Sequence, residues 1–152
     1  MGDIVEFSFP TRVVYGPDAV AGVGGLCTEL GITRPLIVTD PGLVALGLHE
    51  RVQRPLVDAG LASRVFHDIQ GNPVEQNVID ATAAYREHGA DGVVGLGGGS
   101  ALDVTKAVRL RATHDLPLEE YDEYVEGWKK THADMPPMIA IATTAGTGSE
   151  VG

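Results

Sequence analysis

The sequence predicts an α/β fold, a parallel sheet with helices packed on its faces, on two observations. Short apolar runs rich in Val and Ile alternate with longer segments in which apolar residues recur every three or four positions. The short runs are apolar throughout rather than at every second residue, which is typical of strands covered on both faces. Repeated alternation of strand and helix favours a parallel sheet, and we expect residues 1–152 to form one domain.

Five strands and four helices are expected from these patterns. The predicted strands are RVVY (12–15), PLIVT (35–39), SRVFHD (63–68), DGVVGLG (91–97) and MIAIATT (138–144). The predicted helices span 17–31, 42–60, 74–89 and 100–112. Before the last strand, residues 115–126 contain six acidic residues and no basic one, which predicts a solvated surface excursion rather than a cation site.

Length and composition limit the class of protein. The chain has 152 residues, 43% of them hydrophobic, which is enough for one domain with a buried core. Its net charge of −10 disfavours binding to nucleic acid or to a membrane surface, since both need clustered Lys and Arg. The single cysteine, Cys27, falls in a helical pattern, and we expect a core residue. The opening sequence MGDIVEFSFP has no signal-like pattern, which favours the cytoplasm.

The stretch GLGGGSALDVTK, residues 95–106, places three consecutive glycines between a strand and a helix. The first amides of a helix lack intrahelical partners and lie at the positive end of its dipole, which favours an anion. Glycines without side chains would let a phosphate approach those amides. Ser100 and Asp103 fit the S-x-x-D capping box, and a tight turn alone remains the alternative. The predicted phosphate-binding residues are Gly97, Gly98, Gly99 and Ser100.

A second loop of Gly, Ser and Thr, TTAGTGSEVG (143–152), follows the predicted strand MIAIA. Parallel strands bring their carboxyl ends to one edge of the sheet, where ligands bind in open α/β folds. Two such loops at that edge indicate a ligand with several polar groups, such as a dinucleotide. Thr147 and Glu150 fit a T-x-x-E capping box, but too few residues follow for a helix, so we expect a longer protein.

Two roles are open for Asp40, which ends the strand PLIVT and precedes Pro41. Its carboxylate could bind both hydroxyls of an adenosine ribose and repel a 2′-phosphate, which favours NAD over NADP. Asp before Pro is equally a good N-cap, with Pro at the first helical position. Asn72, in the sequence GNP, is by itself most simply a turn residue.

Taken together, these motifs resemble the iron-containing (group III) alcohol dehydrogenase family. The run TTAGTGSE is highly specific, and GGGSALDVTKAV, VTDPGLVALGL, FPTRVVYG and GNPVEQNV extend the resemblance over nearly the whole chain. The resemblance implies an enzyme that moves hydride between an alcohol or aldehyde and NAD(P). It also implies a Rossmann-like cofactor domain, here residues 1–152, and an all-helical C-terminal domain that this chain lacks. Ala142 departs from the family pattern, which usually has Pro there.

The resemblance also implies roles for particular residues. The glycine turn would hold the pyrophosphate, Asp40 would face the adenosine ribose and favour NAD, and Asp103 would fix the turn. The implied cofactor-binding residues are Asp40, Asn72, Gly97, Gly98, Gly99, Ser100, Asp103, Thr143, Thr144, Thr147 and Ser149. The divalent metal, expected to be iron, is held in this family by the helical domain. We therefore expect no catalytic or metal-binding residue in this chain, and cofactor binding without turnover.

Two other functions remain open at this point. One is a naturally short, non-catalytic nucleotide-binding or interaction module, and the other is a relative of the glycerol or sugar-phosphate dehydrogenases, which TTAGTGSE disfavours. Members of the resembled family often dimerise through the N-terminal segment, here VEFSFP (5–10), whose alternating apolar residues suit an edge strand. We expect a homo-oligomer.

Overall fold

The computed structural model describes residues 11–151 and shows a four-stranded parallel sheet with helices on both faces. The strands are β1 (Pro35–Val38), β2 (Arg64–Phe66), β3 (Gly92–Gly97) and β4 (Met138–Ala142). The helices are α1 (Val23–Glu29), α2 (Pro41–Ala45), α3 (Glu50–Asp58), α4 (Glu75–His88) and α5 (Gly99–Thr113). The predicted α/β class is confirmed.

The order of strands across the sheet is β2-β1-β3-β4, and every neighbouring pair is parallel. The chain runs outward from β1 to β2, then crosses back over β1 to reach β3 and β4. The direction of winding therefore reverses between β1 and β3, where Val38 pairs in register with Gly95. In open α/β sheets, the crevice at such a switch point, beyond the carboxyl ends of the strands, is where ligands bind.

Alternate residues of the strands face two separate cores. On one face, Leu36 and Val93 pack with the buried sides of α4 and α5. On the other face, Ile37 and Val94 pack with α1 and α3. All four of these strand side chains are fully buried. This double coverage explains why the strand sequences are apolar at every position rather than at alternate ones.

Cys27 lies in the second core, as expected from its place in a helical pattern. Burial, together with the negative charge of Asp91, raises the pKa of its thiol to about 11. The thiol is therefore protonated near neutral pH, and the residue serves as a small apolar side chain.

Two predicted elements differ in the structure. Residues 12–15 form no strand, and Val13, Val14 and Tyr15 are exposed. Their β-branched and aromatic side chains favour a strand only where a neighbouring strand and a buried face exist. The predicted helix over 42–60 is two helices, α2 and α3, because the chain turns at Gly47 with a φ of +71°. Residues 5–10 lie outside the described part of the chain.

The acidic excursion, residues 115–126, contains two short 3₁₀ turns, and a third follows at Gly127–Lys130. The excursion is largely exposed, which confirms its place on the surface. Lys129 and Lys130 form ion pairs with Glu126 and Glu120. The excursion is attached at His114, which is buried and whose Nε2 accepts a hydrogen bond from the backbone N–H of His132 at 3.0 Å. The two imidazole rings are stacked, with centroids 3.9 Å apart. None of the helices within residues 11–151 has the length and apolar character to cross a membrane.

Candidate cofactor site

The turn from β3 into α5 is built from glycine because neighbouring side chains lie close to the positions that Cβ atoms would take. Gly97 has a φ of +152°, and a Cβ added to it would lie 2.6 Å from the Cβ of Ala101. Gly98 is the N-cap of α5, and no side chain among residues 11–151 caps the helix. The first amides of α5 therefore keep their hydrogen-bonding capacity at the positive end of the dipole. A helix start of this kind accepts a phosphate through backbone N–H groups.

The predicted S-x-x-D capping box is wrong. Ser100 is the second residue of α5 rather than its N-cap, because the helix begins at Gly99. The Ser100 hydroxyl donates to the backbone carbonyl of Gly71 at 2.8 Å instead. Asp103 lies on an exposed part of α5, and within residues 11–151 it forms no capping bond, so it does not fix the turn as expected.

The loop after β4 lies directly against this turn. The backbone N–H of Thr143 donates to the carbonyl of Gly97 at 2.9 Å, which continues the β3–β4 pairing by one bond. A Cβ on Gly98 would lie 3.1 Å from Thr144 Oγ1. A Cβ on Gly99 would lie 3.3 Å from Ser149 Oγ. The structure thus brings the two predicted loops together at one edge of the sheet.

Residues 147–151 show a turn rather than the start of a helix. The Thr147 hydroxyl oxygen accepts from the backbone N–H of Ser149 at 3.3 Å, two residues along the chain, instead of from Glu150. The methyl carbon of Thr147 would lie 3.2 Å from a Cβ on Gly99, and Ser149 itself is buried. The T-x-x-E pattern therefore forms no capping box within the described residues, although both hydroxyl-bearing side chains lie beside the glycine turn.

Of the two roles that the sequence left open for Asp40, the structure shows the helix cap. The Oδ1 of Asp40 accepts from the backbone N–H of Leu43 at 3.0 Å, so Asp40 is the N-cap of α2. Its Oδ2 points across the switch point and lies 3.4 Å from where a Cβ on Gly97 would stand. One carboxylate oxygen is therefore engaged in capping, while the other faces the glycine turn.

A cleft of about 410 Å³ separates these groups. Its lining comprises Asp40, Pro41, Ile69, Gln70, Gly71, Gly98, Gly99, Ser100 and Ala101. No Lys or Arg is among these lining residues, so the donors available to an anion there are backbone amides and the Ser100 hydroxyl. The cleft thus combines an acidic end at Asp40 with a donor-rich end at the start of α5.

The loop from β2 to α4 forms one wall of the cleft through three residues that the sequence analysis did not name, although it named Asn72 of the same loop. Ile69, Gln70 and Gly71 line the cleft, whereas Asn72 is exposed and its carbonyl accepts from Gln70 Nε2 at 3.2 Å. Only the topology of the sheet could have predicted this wall, since the loop follows the carboxyl end of β2, the strand next to β1. Residue type gave no indication, because the wall consists largely of backbone and apolar atoms.

A parallel sheet with a carboxylate and a glycine-lined helix start on opposite sides of its switch point has the architecture of nucleotide-binding α/β domains. Comparison with known proteins identifies the family of this domain. The model of the family described as iron-containing alcohol dehydrogenase matches residues 10–152. The chain belongs to that family.

Similar proteins support this assignment over most of the chain. The 4-hydroxybutyrate dehydrogenase of Cupriavidus necator is 43% identical over 135 residues, 88% of this chain and 34% of that protein. The choline dehydrogenase of Bacillus subtilis is 36% identical over 145 residues, 95% of this chain and 36% of that protein. The chain therefore spans little more than a third of the length of these relatives.

Solved structures show the same fold. A crystal structure of 1,3-propanediol oxidoreductase aligns with a TM-score of 0.85 and 34% identity, over 98% of this chain and 38% of that one. The sulfoacetaldehyde reductase of Bifidobacterium kashiwanohense, solved in complex with NAD⁺, aligns with a TM-score of 0.79 and 30% identity. That alignment covers 99% of this chain and 39% of the reductase.

Proposed function

We propose that this chain binds NAD as the cofactor domain of a metal-dependent alcohol dehydrogenase. The observation that carries the proposal is that Asp40 and the start of α5 line opposite sides of the same cleft at the switch point. The family match and the NAD⁺ complex of the similar sulfoacetaldehyde reductase support it. They favour an enzyme over a non-catalytic module or a sugar-phosphate dehydrogenase.

The glycine turn fits a pyrophosphate on its own geometry. Side chains at Gly97, Gly98 or Gly99 would fill the approach or strike neighbouring atoms, so the turn has room for a ligand only as glycine. The first amides of α5 would donate to the phosphate oxygens, with the helix dipole adding favourable charge. This arrangement binds an anion without requiring a basic side chain, in keeping with the net charge of −10.

The free oxygen of Asp40 would accept hydrogen bonds from the adenosine ribose. Because Oδ1 already accepts from Leu43, Oδ2 is the oxygen available to the ribose hydroxyls. A 2′-phosphate placed at the same position would meet this carboxylate, and the repulsion disfavours NADP. The proposed preference is therefore for NAD.

The remaining predicted residues would enclose the cofactor from the β4 side and from the β2 loop. Thr143, Thr144 and Thr147 are exposed at the edge of the sheet, with Ser149 buried behind them. Asn72 is exposed at the rim, next to the cleft wall. Bound NAD supplies a nicotinamide that accepts or donates hydride, while these side chains orient it.

Other properties of the whole protein follow from the family. We infer a small alcohol or aldehyde as substrate, consistent with relatives named for 4-hydroxybutyrate and 1,3-propanediol. We also infer a divalent metal, iron, held by a helical domain, and no cluster of three metal-ligating side chains occurs in residues 11–151. A homo-oligomer paired through residues 5–10, in the cytoplasm, remains our expectation.

Calorimetric titration of the 152-residue chain with NAD and NADP tests the proposal. We expect NAD to bind more tightly, and Asp40→Asn to narrow the preference by roughly tenfold because the repelling charge is lost. Asp58→Asn is the matched control, since it removes an exposed carboxylate at the end of α3, outside the cleft lining. We expect this control to keep the preference of the unmodified chain.

The possible outcomes distinguish failure of the proposed binding site from failure of its proposed preference for NAD over NADP. Absence of saturable binding by either dinucleotide would overturn the proposed function. Saturable binding of NAD and NADP with equal affinity would retain the phosphate turn and overturn the role of Asp40. A change in preference with Asp58→Asn as large as that with Asp40→Asn would assign the selectivity to overall charge instead.

A further inference from the structure

The hydroxyl of Ser100 forms a hydrogen bond that the proposed cofactor site does not require. It donates to the backbone carbonyl of Gly71 at 2.8 Å, across 29 positions of sequence. Ser100 lies at the N-terminus of α5, where a phosphate would bind, whereas Gly71 lies in the loop between β2 and α4. The bond therefore joins the phosphate turn to the opposite wall of the cleft.

The bond from Ser100 to Gly71 attaches the exposed part of this loop, residues 70–73, to α5. Within the described residues, it is the hydrogen bond that joins residues 69–73 to another part of the chain. The remaining bonds of these five residues are local, from Ile69 N–H to the His67 carbonyl and from Gln70 Nε2 to the Asn72 carbonyl. Residues 70–73 are exposed, so little apolar burial holds them in place.

A serine hydroxyl carries a single proton and can donate one full hydrogen bond at a time. In the structure that proton points to the Gly71 carbonyl. A phosphate oxygen is charged, and bonds to charged acceptors are shorter and about twice as strong as those between neutral groups. A phosphate bound at the start of α5 therefore competes for this proton on favourable terms.

We propose that Ser100 is a positioning residue that couples the phosphate turn to the loop of residues 69–73. Without a phosphate, its hydroxyl holds the loop through the Gly71 carbonyl. With a phosphate bound, the proton turns to the phosphate oxygen and the loop that carries Asn72 is released. The inference rests on the proposed function, since it requires a phosphate-bearing ligand at this turn.

Hydrogen exchange of the 152-residue chain, followed by mass spectrometry with and without saturating ADP, tests the coupling. ADP carries the pyrophosphate and the adenosine but lacks the nicotinamide. In the unmodified chain, the hydrogen-bonded amides at the two ends of the loop are those of Ile69, which donates to the His67 carbonyl, and Val74, which donates to Asn77 Oδ1. We expect these two amides to exchange about two- to tenfold faster when ADP is bound, the range expected for loss of one hydrogen bond. Calorimetry under the same conditions measures the occupancy of the site.

Variants of Ser100 separate the coupling from a purely structural bond. Ser100→Ala lacks the hydroxyl, so its loop should exchange at the faster rate already without ADP and should not accelerate further. Ser100→Thr retains the hydroxyl and should restore the slow rate and its response to ADP. Thr131→Ala is the control, since its hydroxyl donates to the Trp128 carbonyl at 2.8 Å, outside the cleft lining, and its loop should exchange as in the unmodified chain with and without ADP.

The outcomes distinguish the two proposals. If ADP and NAD both fail to bind, the proposed function fails and the coupling fails with it. If ADP binds and the loop exchanges at an unchanged or slower rate, the coupling alone is overturned. Equal exchange of the free Ser100→Ala and unmodified chains would also overturn it, because the hydroxyl would then not hold the loop.

Discussion

At the scale of single residues, the two carboxylate oxygens of Asp40 face different parts of the structure. Its Oδ1 caps the five-residue helix α2 by accepting from Leu43 N–H, and its Oδ2 faces the glycine turn. The capping function needs an oxygen acceptor at this position, whereas the proposed exclusion of NADP needs a negative charge. The two functions can therefore be separated by substitution.

We predict that Asp40→Ala lowers the free energy of unfolding by about 1 kcal/mol, since Leu43 N–H loses its acceptor. Asp40→Asn should stay within about 0.5 kcal/mol of the unmodified chain, because Asn is an equally good N-cap and only the interaction of the charge with the helix dipole is lost. Urea denaturation of the three proteins measures both values. Equal destabilisation by Ala and Asn would show that the charge, rather than the cap, holds α2.

The residue scale also shows how far the sequence predicts the site. Asp40, the glycine turn and the threonine loop were predictable, because parallel strands place their carboxyl ends at one edge. The bond from Ser100 to Gly71 was not, because it depends on the tertiary position of a loop 29 residues away. The S-x-x-D pattern was misleading for a local reason, since Gly98 takes the extended N-cap conformation and the helix starts one residue after it.

At the scale of secondary structure, α1 and α3 pack closely because Gly24 has no side chain. A Cβ on Gly24 would lie 2.4 Å from the carbonyl oxygen of Pro55 and 2.8 Å from the Cβ of Ala59. The Pro55 carbonyl is itself fixed, since it accepts from Ala59 N–H at 3.1 Å. The next residue, Gly25, has no atom within 4 Å of its Cβ position and is exposed. The two glycines therefore form a matched pair on one helix.

We predict that Gly24→Ala destabilises the chain by roughly 1–3 kcal/mol, as for other overpacked cores, because the two helices must move apart. Gly25→Ala should be neutral or stabilise the chain by up to about 1 kcal/mol, since alanine favours the helix and meets no neighbour. Urea denaturation of both variants gives the comparison. Similar free energies of unfolding for the two would contradict the close approach of α1 and α3.

Prediction of the elements succeeded where a segment has partners within residues 11–151 and failed where those residues supply none. PLIVT and DGVVGLG were recognised because burial on both faces requires apolar residues at every position. RVVY has similar side chains, but Val13, Val14 and Tyr15 are exposed. Strand propensity is a preference for a half-buried, pleated surface, and only tertiary structure shows whether that surface is present.

At the scale of the whole molecule, the two edges of the sheet have opposite characters. The carboxyl edge carries the cleft and the amides at the start of α5. At the amino edge, the backbone amides are instead bound by the carboxylate of Asp91, which lies just before β3. The Asp91 carboxylate accepts from the backbone N–H groups of Thr33 and Arg34 at 2.8–3.0 Å and from the Thr33 hydroxyl at 2.5 Å. Burial acts to raise the pKa of Asp91, but these hydrogen bonds outweigh it and lower the pKa below its usual value.

This lowered pKa makes the contribution of Asp91 to stability dependent on pH. The contribution is present above the pKa of Asp91 in the unfolded chain, about 3.9, and is lost as the pH falls through the lower value of the folded chain. We predict that Asp91→Asn costs roughly 1.5–3 kcal/mol at pH 7, the range for bonds to a charged group. Urea denaturation should show this cost shrinking below about pH 4. A cost that stays constant with pH would contradict the role of the charge.

The proposed double use of Asp40, as helix cap and as ribose-facing carboxylate, would also restrict how this family member can change over evolutionary time. A lineage that comes to accept a 2′-phosphorylated dinucleotide must lose the negative charge, and many single replacements lose the helix cap in the same step. Asn, Ser, Thr and Gly are the neutral residues that still cap a helix well, so they offer routes that avoid most of the stability loss. For a chain near its stability threshold, those routes are the accessible ones. The shared carboxylate thus favours a small set of first mutations.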